Sequence, residues 1–386
     1  MPQFTLHKLW HWALIADFKN DYVCTKLELV DENNEVIIEP VESLPTTEEK
    51  LITEMISATE AELIADLAAS HWRCALVRQG EPFGDYGDSV AVIAGAGDEA
   101  QELPSPLGWL FAPWPAPRAR VLARRLGLQL VDDESGFPAV RWHDFILSSG
   151  VIIHNSLEQV LGACASQVMP QQARLIMPSS TSAAAKRLIL RRFAGLGINR
   201  CSVTAAPNAI LNGISDIKTA KVLVVEVLAY ETRFTFLEAD GTSIATANSA
   251  TASYACADEA VASSWAALLP PVANENVDVW HKTLIATARK ARRVKPKGPW
   301  RLHTGATSIV MPMSVANRAY ATLSENLALT CELVTSAYGV DSSELTVIIA
   351  PEEPLWLGLA DTFANVFGHE PLVLNADPWM RLRGLK

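Results

Sequence analysis

The stretch KVLVVEVLAYETRFTFLEADG, Lys221–Gly241, places charged groups where phosphate chemistry is commonly built. It reads as two strands, Val222–Val227 and Arg233–Glu238, joined by a short connection. Hairpins of this outline hold phosphate through backbone N–H groups. Glycine at the turn lets the phosphate approach, because no side chain stands in the way. Here the connection is Leu228, Ala229, Tyr230 and Glu231, preceded by Glu226. The frame of a phosphate site is present, its glycines are missing, and carboxylates flank the turn. Two unit charges of one sign about 4 Å apart cost on the order of 1 kcal/mol even in water, and several at lower effective dielectric.

Other chemistry-bearing residues are weaker candidates. Gly95-x-Gly97-x-x-Ala100 follows an apolar strand in the manner of a dinucleotide fingerprint. Pro104 and Pro106 cut off the helix that such a motif requires, so a plain turn is the reading. Asp17, Glu226, Glu352 and Glu353 are oxygen donors of the kind that suit Mg²⁺ or Ca²⁺, but no spacing fixes them as a set, and no metal or cofactor is expected. His143-Asp144 and His303 lack a nucleophile in a recognisable setting, so surface or capping roles are expected. The six cysteines are far apart with no C-x-x-C, and read as reduced core thiols.

The elements that must position these residues follow from periodicity. Three strands are expected at Trp12–Phe18, Tyr22–Val30 and Glu35–Glu39, followed by an acidic helix over Thr47–Ser70 with Leu51, Ile52, Met55, Ile56, Leu63, Ile64 and Leu67 at helical spacing. Ala75–Arg78 and Val90–Ala94 read as short strands. The segment LPSPLGWLFAPWPAPRAR has five prolines and reads as an apolar loop, in which Trp109, Phe111 and Trp114 form a candidate docking surface. Beyond it come a helix (Phe145–Gln167), a strand (Arg174–Met177), a helix (Ala183–Leu196), a strand (Asn199–Thr204) and a helix (Pro207–Ile214). A second round follows: strands Val222–Val227, Arg233–Glu238 and Ser243–Asn248, then helices Asp258–Leu269, Asp278–Val294 and Val315–Tyr338. A strand (Leu345–Ala350), a helix (Leu355–Phe367) and a strand (Pro371–Leu374) close it. The fragments RLIMPSS…RRFAGLGI and TVIIAPEE…DTFANVFG echo each other. Two copies point to a duplicated α/β lobe with a cleft between the halves, not to a solenoid.

Composition sets outer bounds. The chain has 386 residues, is 49% hydrophobic and carries a net charge of −11. That balance argues against nucleic-acid or anionic-membrane binding through a basic surface. No apolar run is long enough to span a bilayer and no secretory leader is read at the start, so no membrane insertion and a cytoplasmic location are expected. The basic stretch ARKARRVKPKGPWR, with seven Lys/Arg from Arg289 to Arg301, is either a site for an acidic partner or a solvated helix face, the latter being the plainer reading.

Several of these runs resemble the actin-like ATPase domain of the DnaK-type 70-kDa heat-shock chaperones. Met177-Pro178, Ala194-Gly195-Leu196 and Ala205-Ala206-Pro207-Asn208-Ala209 match that family's V-P, A-G-L and N-E-P-T-A motifs. Phe367-Gly368-His369-Glu370-Pro371 matches its F-F-G-K-E-P run. The likeness is good over residues 143–386 and loose before them. It implies a duplicated ribonuclease H-like, actin-like ATPase two-lobe α/β fold. The first lobe would be 1–215 with 374–386 returning to it, the second 216–373, with no substrate-binding domain.

The resemblance also locates what is lost. The family's first phosphate loop, D-x-G-T-T, falls on Asp17-Phe18-Lys19-Asn20-Asp21. The second, D-x-G-G-G-T, falls on Glu226–Glu231, with Tyr230 and Glu231 in place of glycine and threonine. The catalytic glutamate falls on Ala206. The adenosine turn falls on Ala350–Pro354, including Glu352, and the base-contacting pair falls near Arg289 and Arg292. The expectation is a catalytically degenerate, pseudo-ATPase protein without a cofactor. It would act through protein partners as a structural or regulatory component of a bacterial assembly. Two alternatives are a divergent ATPase holding nucleotide through Lys19, Arg233, Arg289 or Arg292, and an actin-like scaffold of a secretion or pilus machine.

Overall fold

Ala61–Asp66 (β1) shows why periodicity alone misleads here. The sequence AELIAD has apolar residues at helical spacing, yet it is a strand, buried along nearly its whole length. It pairs antiparallel with one neighbour and parallel with another. A strand covered on both faces reads as a continuous apolar run, which a short helix segment also does. Within the described residues, the expected 47–70 helix is therefore this strand and the turn after it.

The structure, a computed structural model, describes residues 61–385 except 79–80, 90, 95–99, 104–127, 133–137, 143–144, 165–169, 215–216, 218, 250, 270, 272–275, 297, 305–306, 341–344 and 378–379. The strands expected between Trp12 and Glu39, the Gly95–Ala100 turn and the Trp109–Trp114 loop lie outside the described residues. The chain divides into two compact units. One, Met1–Ser57 with Ile93–Gln101, contributes only 93–94 and 100–101 to the described residues; everything that follows concerns the other, Ala58–Val92 with Glu102–Lys386.

After β1 come β2 (Trp72–Arg78) and β3 (Glu81–Ser89), then a ribbon of β4 (Ala91–Ala94) and β5 (Ala100–Leu103). An antiparallel meander follows: β6 (Gln129–Asp132), β7 (Pro138–Trp142) and β8 (Phe145–Ser148). The helix expected from Phe145 thus begins four residues later, as α1 (Ser149–Cys164), because Phe145–Ser148 pairs with β7. Next are β9 (Gln172–Met177), α2 (Ala183–Gly195), β10 (Arg200–Ala205) and α3 (Ala206–Asn212). The second round is β11 (Lys221–Val227), β12 (Thr232–Glu238), β13 (Ser243–Ser249), α4 (Tyr254–Ala266), α5 (Val277–Val294), a hairpin of β14 (Trp300–Thr304) and β15 (Thr307–Met311), and α6 (Met313–Ala337). It ends with β16 (Leu345–Pro351), α7 (Leu359–Phe367), β17 (Leu372–Val373) and α8 (Met380–Arg383). Side-chain caps mark helix starts: Ser182 accepts from the Ala185 N–H, and Ser253 from the Cys256 N–H.

The two five-stranded sheets share one topology. The first runs β10-β9-β1-β2-β3 and the second β13-β12-β11-β16-β17. In each, the opening strand lies at the centre, antiparallel to the meander strand beside it and parallel to the later strand on its other side. The fourth and fifth strands pair parallel in both.

Alternation along the central strands decides what the rest of the molecule sees. On β11, Leu223, Val225 and Val227 join a core with α4, α5, α6 and α7. Val222 and Val224 face the other way, into a cluster with Ile210 and Leu211 of α3 and Ile348 and Ala350 of β16, with Met380 packed against it. On β1, Ile64 and the nearby Ala68 pack with Ala206, Ala209, Leu382 and Leu385. Residues just before and after Arg381 thus touch clusters under both sheets.

Gly384 makes this packing possible. A β-carbon at Gly384 would fall 1.7 Å from the Ala209 carbonyl oxygen. Any side chain therefore has to push the α8 segment off α3, and Leu382 and Leu385 lose cover. Gly384→Ala is expected to destabilise the chain by about 2–4 kcal/mol. Gly298→Ala, at a site with nothing within 4 Å, should stay within about 0.5 kcal/mol. Urea unfolding of the two variants checks this; equal midpoints would show that α8 is not tightly seated.

Candidate functional site

Three carboxylates stand at the same end of the central strands. Asp66 is the last residue of β1 and Glu226 is the penultimate residue of β11. Glu352 follows β16 directly. On β11, Glu226 has the parity of Val222 and Val224, which turns it toward α3 and α8. All three are buried: the Asp66 and Glu226 side chains are fully so and that of Glu352 is 7% exposed. The carboxyl ends of parallel strands are where open α/β sheets usually receive ligands.

Here the space is taken by Arg381. Its guanidinium reaches Asp66 Oδ2 at 3.2 Å, Glu226 Oε1 at 3.0 Å and Glu352 Oε1 at 3.6 Å. Burial opposes the charge on Arg381, but Asp66, Glu226 and Glu352 outweigh it and raise its pKa above the ordinary arginine value. Arg233 of β12 lies close by, with Nε 2.6 Å from Glu231 and Nη1 donating to the Ala68 carbonyl at 2.7 Å. Its pKa is pulled down to about 10, mainly by burial and further by Arg381, against the opposing pull of Glu226, Glu352 and Asp66.

The two hairpin turns are bonded directly to each other. Asp66 Oδ1 accepts from the Ala68 and Ala69 N–H groups at 2.9 and 3.1 Å, closing the β1–β2 turn locally. Ser70 Oγ accepts from the Ala229 N–H at 2.9 Å and donates to Glu352 Oε2 at 2.5 Å. The Ser70 N–H donates to Glu352 Oε1 at 2.8 Å. Leu228 is buried, and its N–H donates to the Glu231 carbonyl. Backbone N–H groups that would cradle a phosphate are thus already spent on protein oxygens.

A second network sits beside the first. Arg292 of α5 makes a bidentate contact with Asp258 at 2.8 and 3.1 Å and reaches Glu353 at 3.0 Å. Its guanidinium lies over the Tyr254 ring at 4.4 Å. Arg293 holds the other oxygen of Glu353 at 2.7 Å. The Tyr254 hydroxyl donates to the Glu353 carbonyl. Burial keeps the Tyr254 phenol far above its ordinary pKa, so it stays a neutral donor. Adjacent glutamates on one loop therefore serve two networks: Glu352 turns to Arg381, Glu353 to Arg292 and Arg293.

The residues singled out by sequence divide accordingly once they are located in space. Glu226, Glu231 and Glu352 come together as expected, but around arginines. Tyr230 is half-buried beside them, and Ala206 is buried at the start of α3, in the cluster that holds Leu382. Arg292 is engaged as described, while Arg289 is about half exposed, with one long contact of 3.4 Å to Asp258. Arg289, Arg292 and Arg293 of the basic stretch are all engaged in ion pairs. Asp17, Lys19, Trp109, Phe111 and Trp114 lie outside the described residues. The turn of the first sheet's own opening hairpin instead carries Asp66, which sequence reasoning passed over together with Ser70, Asp258 and Arg381. A signal for Asp66 existed: IADLAAS (64–70) and VEVLAYE (225–231) each run from an apolar strand through an acidic residue to Leu-Ala.

Among the described residues, no group of three or more His, Cys, Asp or Glu side chains is placed to hold a metal ion, and Cys74, Cys201, Cys256 and Cys331 are free. No helix among them is long and apolar enough to cross a membrane. No protein-family model matches this chain, and comparison with curated proteins finds no relative.

The Glu353 pairing has a pH signature. Burial raises the pKa of this carboxyl, but Arg293 and Arg292 together outweigh burial and leave it below its ordinary 4.5. Its stabilising effect is therefore present above about pH 4.5 and is lost as pH falls through the lower folded-state value. Glu353→Gln is expected to be less stable than the unchanged chain at pH 7, with the gap narrowing steadily below pH 4.5. Urea midpoints measured from pH 7 to 3 check this; a gap that is independent of pH contradicts the assignment.

Proposed function

We propose that this chain is a duplicated, actin-like two-lobe protein, similar to the ATPase half of DnaK-type chaperones, whose nucleotide site has been replaced by an internal ion network. On this reading it acts by protein–protein contact, as a structural or regulatory component of an assembly, and does not hydrolyse ATP. The observation that carries the reading is Arg381, seated among Asp66, Glu226 and Glu352 at the carboxyl ends of the central strands. The shared order and strand sense of the two five-stranded sheets support the duplication.

The chemistry of the site supports a non-catalytic role. A triphosphate needs free N–H donors and a cation, and this site supplies occupied N–H groups and three carboxylates. Admitting nucleotide would require breaking buried charge pairs, and removing one partner of such a pair costs about 3–5 kcal/mol. A contact surface is available elsewhere: Leu329 and Leu333 of α6 and Tyr338 just beyond it are 49%, 72% and 53% exposed. Exposed apolar groups set close together on one helix are common at protein interfaces.

Calorimetric titration with ATP and Mg²⁺, with ADP as control, tests the reading. No heat of binding is expected up to millimolar nucleotide. Micromolar binding would overturn the proposal.

A further inference from the structure

We propose that the cage formed by Asp66, Glu226 and Glu352 is a guanidinium-binding site that takes its ligand in cis from α8. Arg381 is then a tethered ligand, and its occupancy is what holds the β1–β2 and β11–β12 turns together. This deepens the reading above, since it names what fills the space between the turns, but it rests on the geometry of the cage alone.

Three observations carry it. First, the ligand class is present: a buried guanidinium makes contacts at 3.0–3.6 Å to carboxylates from β1, from β11 and from the residue after β16. A planar fork with several N–H donors can meet three carboxylates in different directions, which a compact ammonium cannot do as well. Second, the cage has more acceptor capacity than Arg381 uses. Glu226 Oε2 is fully buried and makes no hydrogen bond among the described residues. Third, the segment that carries Arg381 is shaped for delivery. Met380 packs on the cluster under the second sheet and Leu382 on that under the first. Gly384 permits backbone contact with Ala209 that no other residue allows. The arginine is aimed by its neighbours on both sides.

The consequence for the turns follows from the bonding. Glu352 is shared between Arg381 and Ser70, and Ser70 accepts from Ala229 across the gap. Without the guanidinium, three buried carboxylates face one another, and Glu352 is driven from Ser70 by repulsion. The turns then separate although neither has been altered.

The test is chemical rescue of the full chain carrying Arg381→Ala. Thermal melting is followed with methylguanidinium, and with ammonium and Mg²⁺ at matched ionic strength. The variant is expected to melt below the unchanged chain and to regain stability saturably with methylguanidinium, half-maximally at roughly millimolar concentration. The unchanged chain should not respond. Equal rescue by ammonium or Mg²⁺, or no rescue, overturns the proposal. Hydrogen exchange supplies a second measurement that does not depend on that variant folding. In the unchanged chain the amides of Ala68, Ala69, Ser70 and Ala229 should exchange as slowly as those of β1 and β11. In Arg381→Lys they should exchange roughly tenfold or more faster. Fast exchange in the unchanged chain, or no change in the lysine variant, overturns it. These outcomes are separate from nucleotide titration: ATP binding by the unchanged chain would remove the proposed function and leave guanidinium rescue to be judged by itself.

Discussion

The burial of a guanidinium among three carboxylates is the constraint on which the arrangement of this molecule turns. Charges taken out of water gain nothing unless each finds a partner of opposite sign in good geometry. Asp66, Glu226 and Glu352 come from separate strands, so their partner must come from an element that reaches all three. Arg381 does so because α8 packs on clusters beneath both sheets. The hydrophobic packing of Met380, Leu382 and Leu385 and the electrostatics of Arg381 are therefore one interaction seen from two sides. Displacing the apolar contacts strands the charges, and removing the charge leaves the apolar contacts holding a repulsive site.

The shared topology of the two sheets explains why the carboxylates meet at all. Each sheet sends its central strand toward the same region and ends it near an acidic residue, Asp66 on β1 and Glu226 on β11. A parallel strand beside β11 adds Glu352 one residue after its end. In an α/β architecture this is the usual place for a ligand. The protein keeps the location and supplies the occupant from its own chain. The neighbouring Arg292–Asp258–Glu353 network repeats the tactic, with Tyr254 stacked on the arginine.

Much of the element pattern is legible from residue 172 onward. The strands β9, β11, β12 and β16 and the helices α2, α5 and α6 agree with periodicity to within two residues at each end. Each is set by local alternation, caps and turn residues, as with Ser182 before α2. The β14–β15 hairpin was not legible, because WRLHT and TSIVM lack a strong turn signal in the chain between them. The β1 strand and the start of α1 were misread for a common reason: short apolar runs satisfy either period, and only pairing partners decide. Missing β1 displaced the expected first phosphate-like turn from Asp66 to Asp17.

What the residues determined by themselves is the chemistry that the 228–231 turn lacks. A connection of Leu, Ala, Tyr and Glu has no glycine to admit a phosphate, whatever fold surrounds it. What only the tertiary structure decided is the identity of the occupant. Arg381 is 315 residues from Asp66 and 155 from Glu226. Nothing local distinguishes it from Arg383 two positions later. Side-chain direction on a helix a single turn long is set by what that helix packs against, and strand order decides which carboxylates lie within reach. Both are properties of the assembled sheets, which no window of sequence contains.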